Sequence, residues 1–211
     1  MSLLWIIRLL LIIVLIICIC VFGYFLKNRM RYQKIIENTF FNILLILLYN
    51  ALCYVPVVLP QDFNCILQPH LFSTPLEIIW FKSLGIIIGS AGLFMLVYTG
   101  YIRRTVGIQD TDGKLLKSGI YSFMRHPIYV GIIFISIGLS LILINIDGMI
   151  VLPLIIFANF LEAKFEESFD MKVRFKEEYF AYKKQTRMFG PYWFWIVLFL
   201  LFIAPLLIQL I

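Results

Sequence analysis

Residues 119–131 read Gly-Ile-Tyr-Ser-Phe-Met-Arg-His-Pro-Ile-Tyr-Val-Gly and join a polar stretch of the chain to an apolar run. Proline is favoured in the first turn of a helix because the N–H that it lacks would have no partner there. The pattern therefore predicts a helix that begins at about Pro127, with Arg125 and His126 at its N-terminal end. That end offers free N–H groups and a partial positive charge, which suit a carboxylate or a phosphate. Taken alone, Arg125 is equally typical of a residue that anchors a helix among lipid headgroups.

The composition of the 211-residue chain indicates that a bilayer covers much of its surface. Hydrophobic residues make up 62% of the chain and charged residues 14%, whereas soluble domains have roughly 45–50% and about 25%. Apolar runs occupy about residues 3–26, 39–60, 78–102, 128–145, 149–162 and 192–211. The sequence therefore predicts an all-α, polytopic integral membrane protein with about six transmembrane helices. The first run is too long for a signal peptide and is interpreted as a retained span.

The fifth run is shorter than the ~20 residues of a full crossing. The turn at 145–148 makes it the return arm of a helical hairpin, and it can cross if the helix continues through Leu161 to Lys164. In the third run, Gly85, Gly89 and Gly92 form a small-residue face, which predicts close packing against another helix.

The basic residues favour one orientation in the membrane. With two exceptions, Arg8 and Lys82, every Lys and Arg falls in the loops after the first, third and fifth runs. The positive-inside rule therefore predicts that these loops, which hold most of the polar groups able to do chemistry, are cytoplasmic, in the endoplasmic reticulum or a bacterial inner membrane. The net charge of +6 reflects this topology and does not indicate nucleic-acid binding. No CxxC motif or Cys/His cluster indicates a metal site.

A second polar stretch, residues 163–191, alternates charged and aromatic side chains. Phe165, Phe169, Val173 and Phe180 recur at roughly helical spacing, which predicts a cytoplasmic amphipathic helix. Most of its carboxylates are typical of a solvated helix face. Two of them, at positions 166 and 167, directly follow a membrane segment, where a carboxylate needs a cation or a hydrogen-bond donor.

These motifs together resemble the isoprenylcysteine carboxyl methyltransferases, a family similar to the membrane phospholipid methyltransferases. The resemblance rests on Gly119-Ile-Tyr121, on Arg125-His126-Pro127-Ile-Tyr129-Val-Gly131, and on the pair Glu166-Glu167 followed by Glu177-Glu178-Tyr179. It covers about residues 100–190. It implies a methyltransferase core over 103–191, and the apolar runs on either side predict N-terminal transmembrane helices over 1–102 and a C-terminal transmembrane helix over 192–211.

The resemblance also implies a cofactor, S-adenosyl-L-methionine, held in a cytoplasmic pocket, and a lipid or lipidated substrate that enters from the bilayer among the membrane lipids. Carried over by position, the cofactor-binding residues are Gly113, Lys114, Leu115, Leu116, Tyr121, Arg125, His126, Pro127, Ile128, Tyr129, Glu166 and Glu167.

The chain departs from the family pattern at two positions. Eukaryotic members have an arginine four residues before the cofactor glutamate, where it is thought to meet the substrate carboxylate. This chain has Ala163 there, and Lys164 beside it is the predicted substrate-binding replacement. The family also commonly has Phe-Gly where this chain has Phe175 and Lys176.

Several functions stay open at this point. Methyl transfer to the carboxylate of an isoprenylated cysteine is favoured over N-methylation of a phospholipid headgroup. A membrane sterol-type reductase would need a nicotinamide site, and no additional loop indicates one. A scaffold or transporter is disfavoured because the ionisable residues gather at one membrane face, whereas transport sites usually lie at mid-membrane. The catalytic residues are unknown.

Overall fold

The computed structural model describes residues 3–28, 31–32, 39–60, 75–103 and 115–208. The predicted cofactor residues Gly113 and Lys114 lie outside this part of the chain. In chain order the helices are α1 (Leu3–Lys27), α2 (Thr39–Val58), α3 (Pro75–Arg103), α4 (Ile120–Phe123), α5 (Pro127–Ile142), α6 (Ile146–Glu166), α7 (Lys172–Gln185) and α8 (Tyr192–Ile208). A π-helical turn, Glu167–Met171, joins α6 to α7.

The prediction of an all-α membrane protein is confirmed. Within the part of the chain that the structure describes, three helical segments are long and apolar enough to cross a bilayer: α1, α3 and the continuous segment Ile146–Gln185. Shorter apolar helices cover Ile43–Val58 and Pro127–Ile142. The count of six crossings stays a prediction. The apolar part of the long segment ends at Leu161, so the residues from the π-helical turn onward lie beyond its crossing part.

The hairpin of α5 and α6 follows the sequence closely. Helix α5 begins at Pro127, as predicted. Helix α6 continues to Glu166, beyond Lys164, the residue to which the sequence analysis requires it to extend in order to cross the bilayer. Between them Ile144 has a φ of 51°, a value that a β-branched residue seldom adopts. The side chain of Asn145 accepts a hydrogen bond from the Gly148 N–H at 3.0 Å and so caps α6.

Helix α3 packs against α5 through glycines. A Cβ atom on Gly138 would lie 2.7 Å from the Cα of Gly89, and one on Gly92 would lie 2.7 Å from the carbonyl oxygen of Gly131. Only hydrogen fits at such distances, so the close packing predicted for the glycine face of the third run is confirmed. The two helices are antiparallel, because Gly92 contacts Gly131 whereas Gly85 contacts Gly138. The C-terminal end of α3 therefore lies beside the N-terminal end of α5.

One end of the bundle, here called the closed end, contains Arg8, Asn145 and Asp147. The Arg8 and Asp147 side chains are fully buried, with 3.3 Å between Nη1 and Oδ2. Arg8 also donates to the carbonyls of Pro56 and Leu59, and Asn145 donates to those of Val57 and Leu59. These bonds satisfy carbonyl groups at the C-terminal end of α2 that have no partner within the helix.

The segment after α6 is less regular than the predicted amphipathic helix. Within α7, Lys176 has a φ of 41° and a ψ of −119°, which kinks the helix. The buried side of α7 carries Tyr179 and Tyr182. Val173 and Phe180, which were predicted to form an apolar stripe, are instead 64% and 45% exposed. Tyr182 is drawn inward because its hydroxyl donates to the Tyr121 carbonyl at 2.6 Å.

Candidate functional site

The second end of the bundle, here called the cavity end, contains Arg125, His126, Glu166 and Glu167. The chain before α5 is held in place by the segment that follows α7. The Arg125 N–H donates to the Arg187 carbonyl at 3.0 Å, and the His126 N–H donates to the Met188 carbonyl at 3.1 Å. These backbone bonds fix His126 directly before α5, facing the C-terminal end of α6.

Glu167 is at the centre of an ion-pair network. Its Oε1 lies 2.8 Å from the Arg125 Nε, and its Oε2 lies 2.8 Å from the Lys183 Nζ. Arg125 also donates to the Thr186 carbonyl. Burial alone would raise the pKa of the Glu167 carboxyl, but the hydrogen bonds from His126 and Lys183 and the charge of Arg125 lower it well below its ordinary value. Glu167 is therefore an anion that ties the N-terminal end of α5 to α7.

His126 is buried between the two carboxylates. Its Nδ1 lies 3.4 Å from the Glu166 Oε2 and its Nε2 lies 3.4 Å from the Glu167 Oε1. Burial alone would lower the pKa of the imidazole, but its hydrogen bonds to Glu166 and Glu167 raise it above the usual value. Tyr129 donates from its hydroxyl to the Glu166 Oε2 at 3.1 Å. A histidine, a tyrosine and two carboxylates thus form one connected network.

A cavity of about 390 Å³ lies beside this network, within the roughly 300–1,000 Å³ of ligand sites. Its charged wall carries Arg103, Arg125, His126, Glu162, Glu166, Asp170 and Arg174. Its apolar wall lies between α1 and α2 and carries Cys18, Ile19, Phe22, Leu45 and Leu48. Cys18, Phe22 and Leu45 also line a second, entirely apolar pocket of about 260 Å³. The cavity therefore joins a charged region to an apolar region between membrane helices.

The structure brings most of the predicted cofactor residues to this cavity. Those that line it are Leu115, Leu116, Tyr121, Arg125, His126, Pro127, Ile128, Tyr129 and Glu166. Glu167 lies behind Arg125 and His126 and contacts both. Burial raises the pKa of the Tyr121 phenol to about 12, so Tyr121 is a neutral hydroxyl at physiological pH.

Lys164 lies away from the cavity. Its side chain is exposed, and its Nζ stands 5.5 Å from the centre of the Phe160 ring. Positions two residues apart point to different sides of a helix, so Lys164 does not share the face of Glu162 and Glu166. The substrate role predicted for Lys164 would therefore need an acceptor outside this cavity.

Sequence reasoning missed several charged residues that line the cavity. Glu162, Asp170 and Arg174 join Glu166 on the same wall, and Asp170 pairs with Arg174 at 3.2 Å. Their spacing of four residues was the available signal, because such residues share one helix face. A run of charged residues on one helix face is usually exposed to solvent, and the sequence does not show that this face lines a cavity. Arg103, at the end of α3, was counted only among the basic residues that indicate the orientation in the membrane.

Among the described residues, no group of three or more His, Cys, Asp or Glu side chains is placed to hold a metal ion. The fold and the site together define a helical membrane protein with a charged, ligand-sized cavity beside the N-terminal end of α5. Comparison with known proteins narrows this class further.

A family model described as phospholipid methyltransferase matches residues 79–178. Among curated proteins, the protein-S-isoprenylcysteine O-methyltransferase of Xenopus laevis is 29% identical over 146 residues, which are 66% of this chain and 51% of that protein. The human enzyme of the same name is 37% identical over 108 residues, 45% of this chain and 38% of that protein. The enzyme of Saccharomyces cerevisiae is 26% identical over 113 residues, 46% of this chain and 47% of that protein.

These matches confirm the predicted resemblance: over about half of its length or more, the chain is similar to isoprenylcysteine O-methyltransferases and to the phospholipid methyltransferase family model. The chain spans about half the length, or less, of the three relatives just described. No solved structure matches it.

Proposed function

We propose that this protein transfers a methyl group from S-adenosylmethionine to the carboxylate of an isoprenylated cysteine or a similar lipid-linked acid. One observation carries the proposal: a single cavity has a charged wall at the Arg125–His126 end and an apolar wall between α1 and α2. The charged wall suits a polar cofactor, and the apolar wall suits a hydrocarbon chain. The names of the relatives support the same reaction and acceptor.

The residues on the charged wall fit the proposed methyl donor. S-adenosylmethionine supplies a methyl group already activated on a sulfonium, and it also carries an ammonium, a carboxylate and ribose hydroxyls. Arg125 and Arg174 offer guanidinium groups for a carboxylate, and Glu166 and Asp170 offer carboxylates for an ammonium or hydroxyls. Glu167 would act indirectly, because it holds Arg125 and His126 in position.

The apolar wall would hold the lipid part of the acceptor. Ile19, Phe22, Leu45 and Leu48 come from two helices that the sequence predicts as transmembrane, and the adjoining pocket extends the same apolar surface. An acceptor whose chain lies there would place its headgroup against the charged wall. Burial of each CH₂ group stabilises such binding by about 0.8 kcal/mol, so an isoprenoid chain alone would supply much of the affinity.

Orientation and exclusion of water are the contributions we assign to this chain. Holding two reactants in line can lower a barrier by roughly 7–11 kcal/mol. The apolar wall excludes water from the acceptor carboxylate, and a less hydrated carboxylate is a better nucleophile. No side chain needs to accept a proton when a carboxylate is methylated. We further propose that the cavity end faces the cytoplasm, because the described basic residues Arg103, Arg125, Arg174 and Lys183 lie at that end.

A methyl-transfer assay with two acceptors tests this proposal. The purified protein in lipid nanodiscs would receive methyl-labelled S-adenosylmethionine and either N-acetyl-S-farnesylcysteine or phosphatidylethanolamine. We expect a base-labile methyl ester on farnesylcysteine. The matched control is Glu178→Gln, because Glu178 is 50% exposed and pairs with Lys117 outside the cavity. Label found only as base-stable N-methyl groups on phosphatidylethanolamine would reject the acceptor proposed here.

N-methylation of a phospholipid headgroup is the second candidate. The matched family description favours it, as do Glu162, Glu166 and Asp170, whose carboxylates would attract an ammonium headgroup. An amine acceptor must lose a proton before or during transfer, so this reaction also needs a base such as Glu166. A transfer rate to phosphatidylethanolamine that rises with pH while the farnesylcysteine rate does not would identify this reaction.

A further inference from the structure

Gly100 is a glycine of α3 that helix packing does not require. A Cβ atom on Gly100 would meet no other group of the described chain within 4 Å. At Gly85 and Gly92 of the same helix, a Cβ atom would lie 2.8 and 2.7 Å from atoms of α5. Gly100 is exposed, and it also lines the cavity. The space that its missing side chain leaves open is therefore continuous with the cavity.

This space lies between α2 and α3. Leu96, Gly100 and Arg103 share one face of α3, and all three line the cavity. Leu48 and Tyr49 line it from α2. In the described part of the chain α3 packs mainly against α5, whereas α2 packs against α1, α5 and α6. The two walls therefore both rest on α5, with the cavity between them.

The space between α2 and α3 also opens onto the apolar surface of the bundle. Leu48 lines the cavity and is nevertheless exposed. Leu47 of α2 and Val97 of α3, which lie close to it in the chain and to Gly100 respectively, are exposed as well. Large apolar side chains on the surface of membrane helices lie against lipid tails, which are as apolar as leucine. A hydrocarbon chain can therefore move between the bilayer and the cavity without crossing water.

We propose that Gly100 is a specificity-determining residue that keeps a lateral passage open between α2 and α3, through which the hydrocarbon chain of the methyl acceptor enters the cavity. This inference rests on the proposed function, since it takes the acceptor to be a lipid, and it applies to an isoprenylated acid and to a phospholipid alike. The chain would then lie against the apolar wall, of which Leu48 is part.

The seam between α1 and α2 is the competing route, because the smaller apolar pocket lies there. Helices α1 and α2 pack against each other, so a lipid chain could pass between them only if they moved apart. At Gly100 the space is open without any such movement. The passage between α2 and α3 is therefore the route that we assign.

Side chains of increasing size at position 100 test the passage. With N-acetyl-S-farnesylcysteine in nanodiscs, kcat/KM should fall in the order Gly100→Ala, Gly100→Leu, Gly100→Trp. We expect a fall of about tenfold for the last, mainly through KM, because its side chain occupies the space of the lipid. The matched control is Val97→Trp, which should leave kcat/KM unchanged, because Val97 is exposed on the same helix and is not among the residues that line the cavity.

Two measurements separate a blocked passage from a damaged cavity. S-adenosylhomocysteine has no lipid chain, so calorimetry should give the same affinity for Gly100→Trp as for the native protein. An affinity that falls as much as kcat/KM would show that the new side chain fills the donor site, and would overturn the role of Gly100. From the other wall, Leu48→Trp should lower kcat/KM and Leu47→Trp should not, which keeps the test available if Gly100→Trp does not fold.

A tryptophan at Val21, which lines only the smaller pocket between α1 and α2, tests the competing route. We expect Val21→Trp to lower kcat/KM less than Gly100→Trp does. A loss in Val21→Trp with none in Gly100→Trp would assign entry to the seam and overturn the passage proposed here.

The outcomes distinguish this inference from the proposed function. Unchanged kcat/KM throughout the position 100 series, with transfer by the native protein, overturns the passage and leaves the proposed reaction intact. If the native protein methylates phosphatidylethanolamine alone, the same variants with that lipid decide on the passage while the proposed acceptor is rejected. Absence of transfer to every acceptor overturns the proposed function and this inference together.

Discussion

At the closed end of the bundle Arg8 pairs with Asp147, and at the cavity end Arg125 pairs with Glu167. All four side chains are at least nine-tenths buried. The surroundings of the two pairs differ. Arg8 donates further hydrogen bonds to carbonyl groups at the end of α2 and just after it. Neither Arg8 nor Asp147 lines the cavity. Arg125 lines it, and its carboxylate partner also contacts His126. A buried ion pair therefore marks a functional site only when a ligand can reach it.

The largest effect is expected from Arg8→Met. Removal of Arg8 takes from the buried Asp147 carboxylate its ion-pair partner at 3.3 Å, so the free energy of unfolding should fall by roughly 3–5 kcal/mol. Thermal unfolding in detergent measures this. The double variant Arg8→Met with Asp147→Leu should recover most of the loss. The folded fraction should bind S-adenosylhomocysteine as the native protein does, and weaker binding there would show that the closed end is coupled to the cavity.

Glu167→Gln should combine a loss of stability with a loss of ligand affinity. It leaves Arg125 and Lys183 without their carboxylate, which should cost about 2 kcal/mol. Because the folded-state pKa of Glu167 is lowered, its stabilising contribution is complete above the ordinary value of 4.5 and is lost as the pH falls below it. The difference in melting temperature between native protein and variant should therefore shrink below about pH 4.5. A constant difference would contradict the charge assigned to Glu167.

His126→Ala should act mainly on affinity. The imidazole bridges Glu166 and Glu167, so its loss disorders the charged wall while α5 keeps its backbone bonds to the segment after α7. We expect S-adenosylhomocysteine, measured by calorimetry, to bind about tenfold more weakly. Unchanged affinity for S-adenosylhomocysteine in both this variant and Glu167→Gln would contradict the proposal that the methyl donor binds in this cavity. Glu178→Gln is again the matched control.

Lys176→Gly should give the smallest effect and the opposite sign. The φ of 41° at Lys176 favours glycine, and relief of that conformation should raise stability by about 1 kcal/mol. Lys172→Gly is the control, because Lys172 has a helical φ of −65° and glycine there should lower stability by up to about 1 kcal/mol. If both variants changed the stability in the same direction, the strained backbone assigned to Lys176 would be contradicted. The stabilised variant would also show whether the cavity end needs that strain for binding.

Much of the fold follows from local patterns. Apolar runs predicted the bounds of α1, α2 and α3 to within a few residues, Pro127 predicted the beginning of α5, and the family position usually occupied by glycine falls on the kinked Lys176. The π-helical turn, Glu167–Met171, could not be predicted, because no residue pattern in it differs from that of an ordinary helix. Arg8 looked like a residue near the end of a span, since its partner Asp147 is distant in sequence.

The sequence by itself determined the class of the protein, an all-α membrane protein, and which methyltransferase family it resembles. These properties depend on composition and on short motifs, which a linear chain displays directly. Only the tertiary structure decided that Glu162, Asp170 and Arg174 line the same cavity as His126, that Glu167 holds Arg125 from behind, and that Lys164 points away. Such relations depend on how helices pack and rotate against one another, and that geometry arises from contacts between residues far apart in the chain.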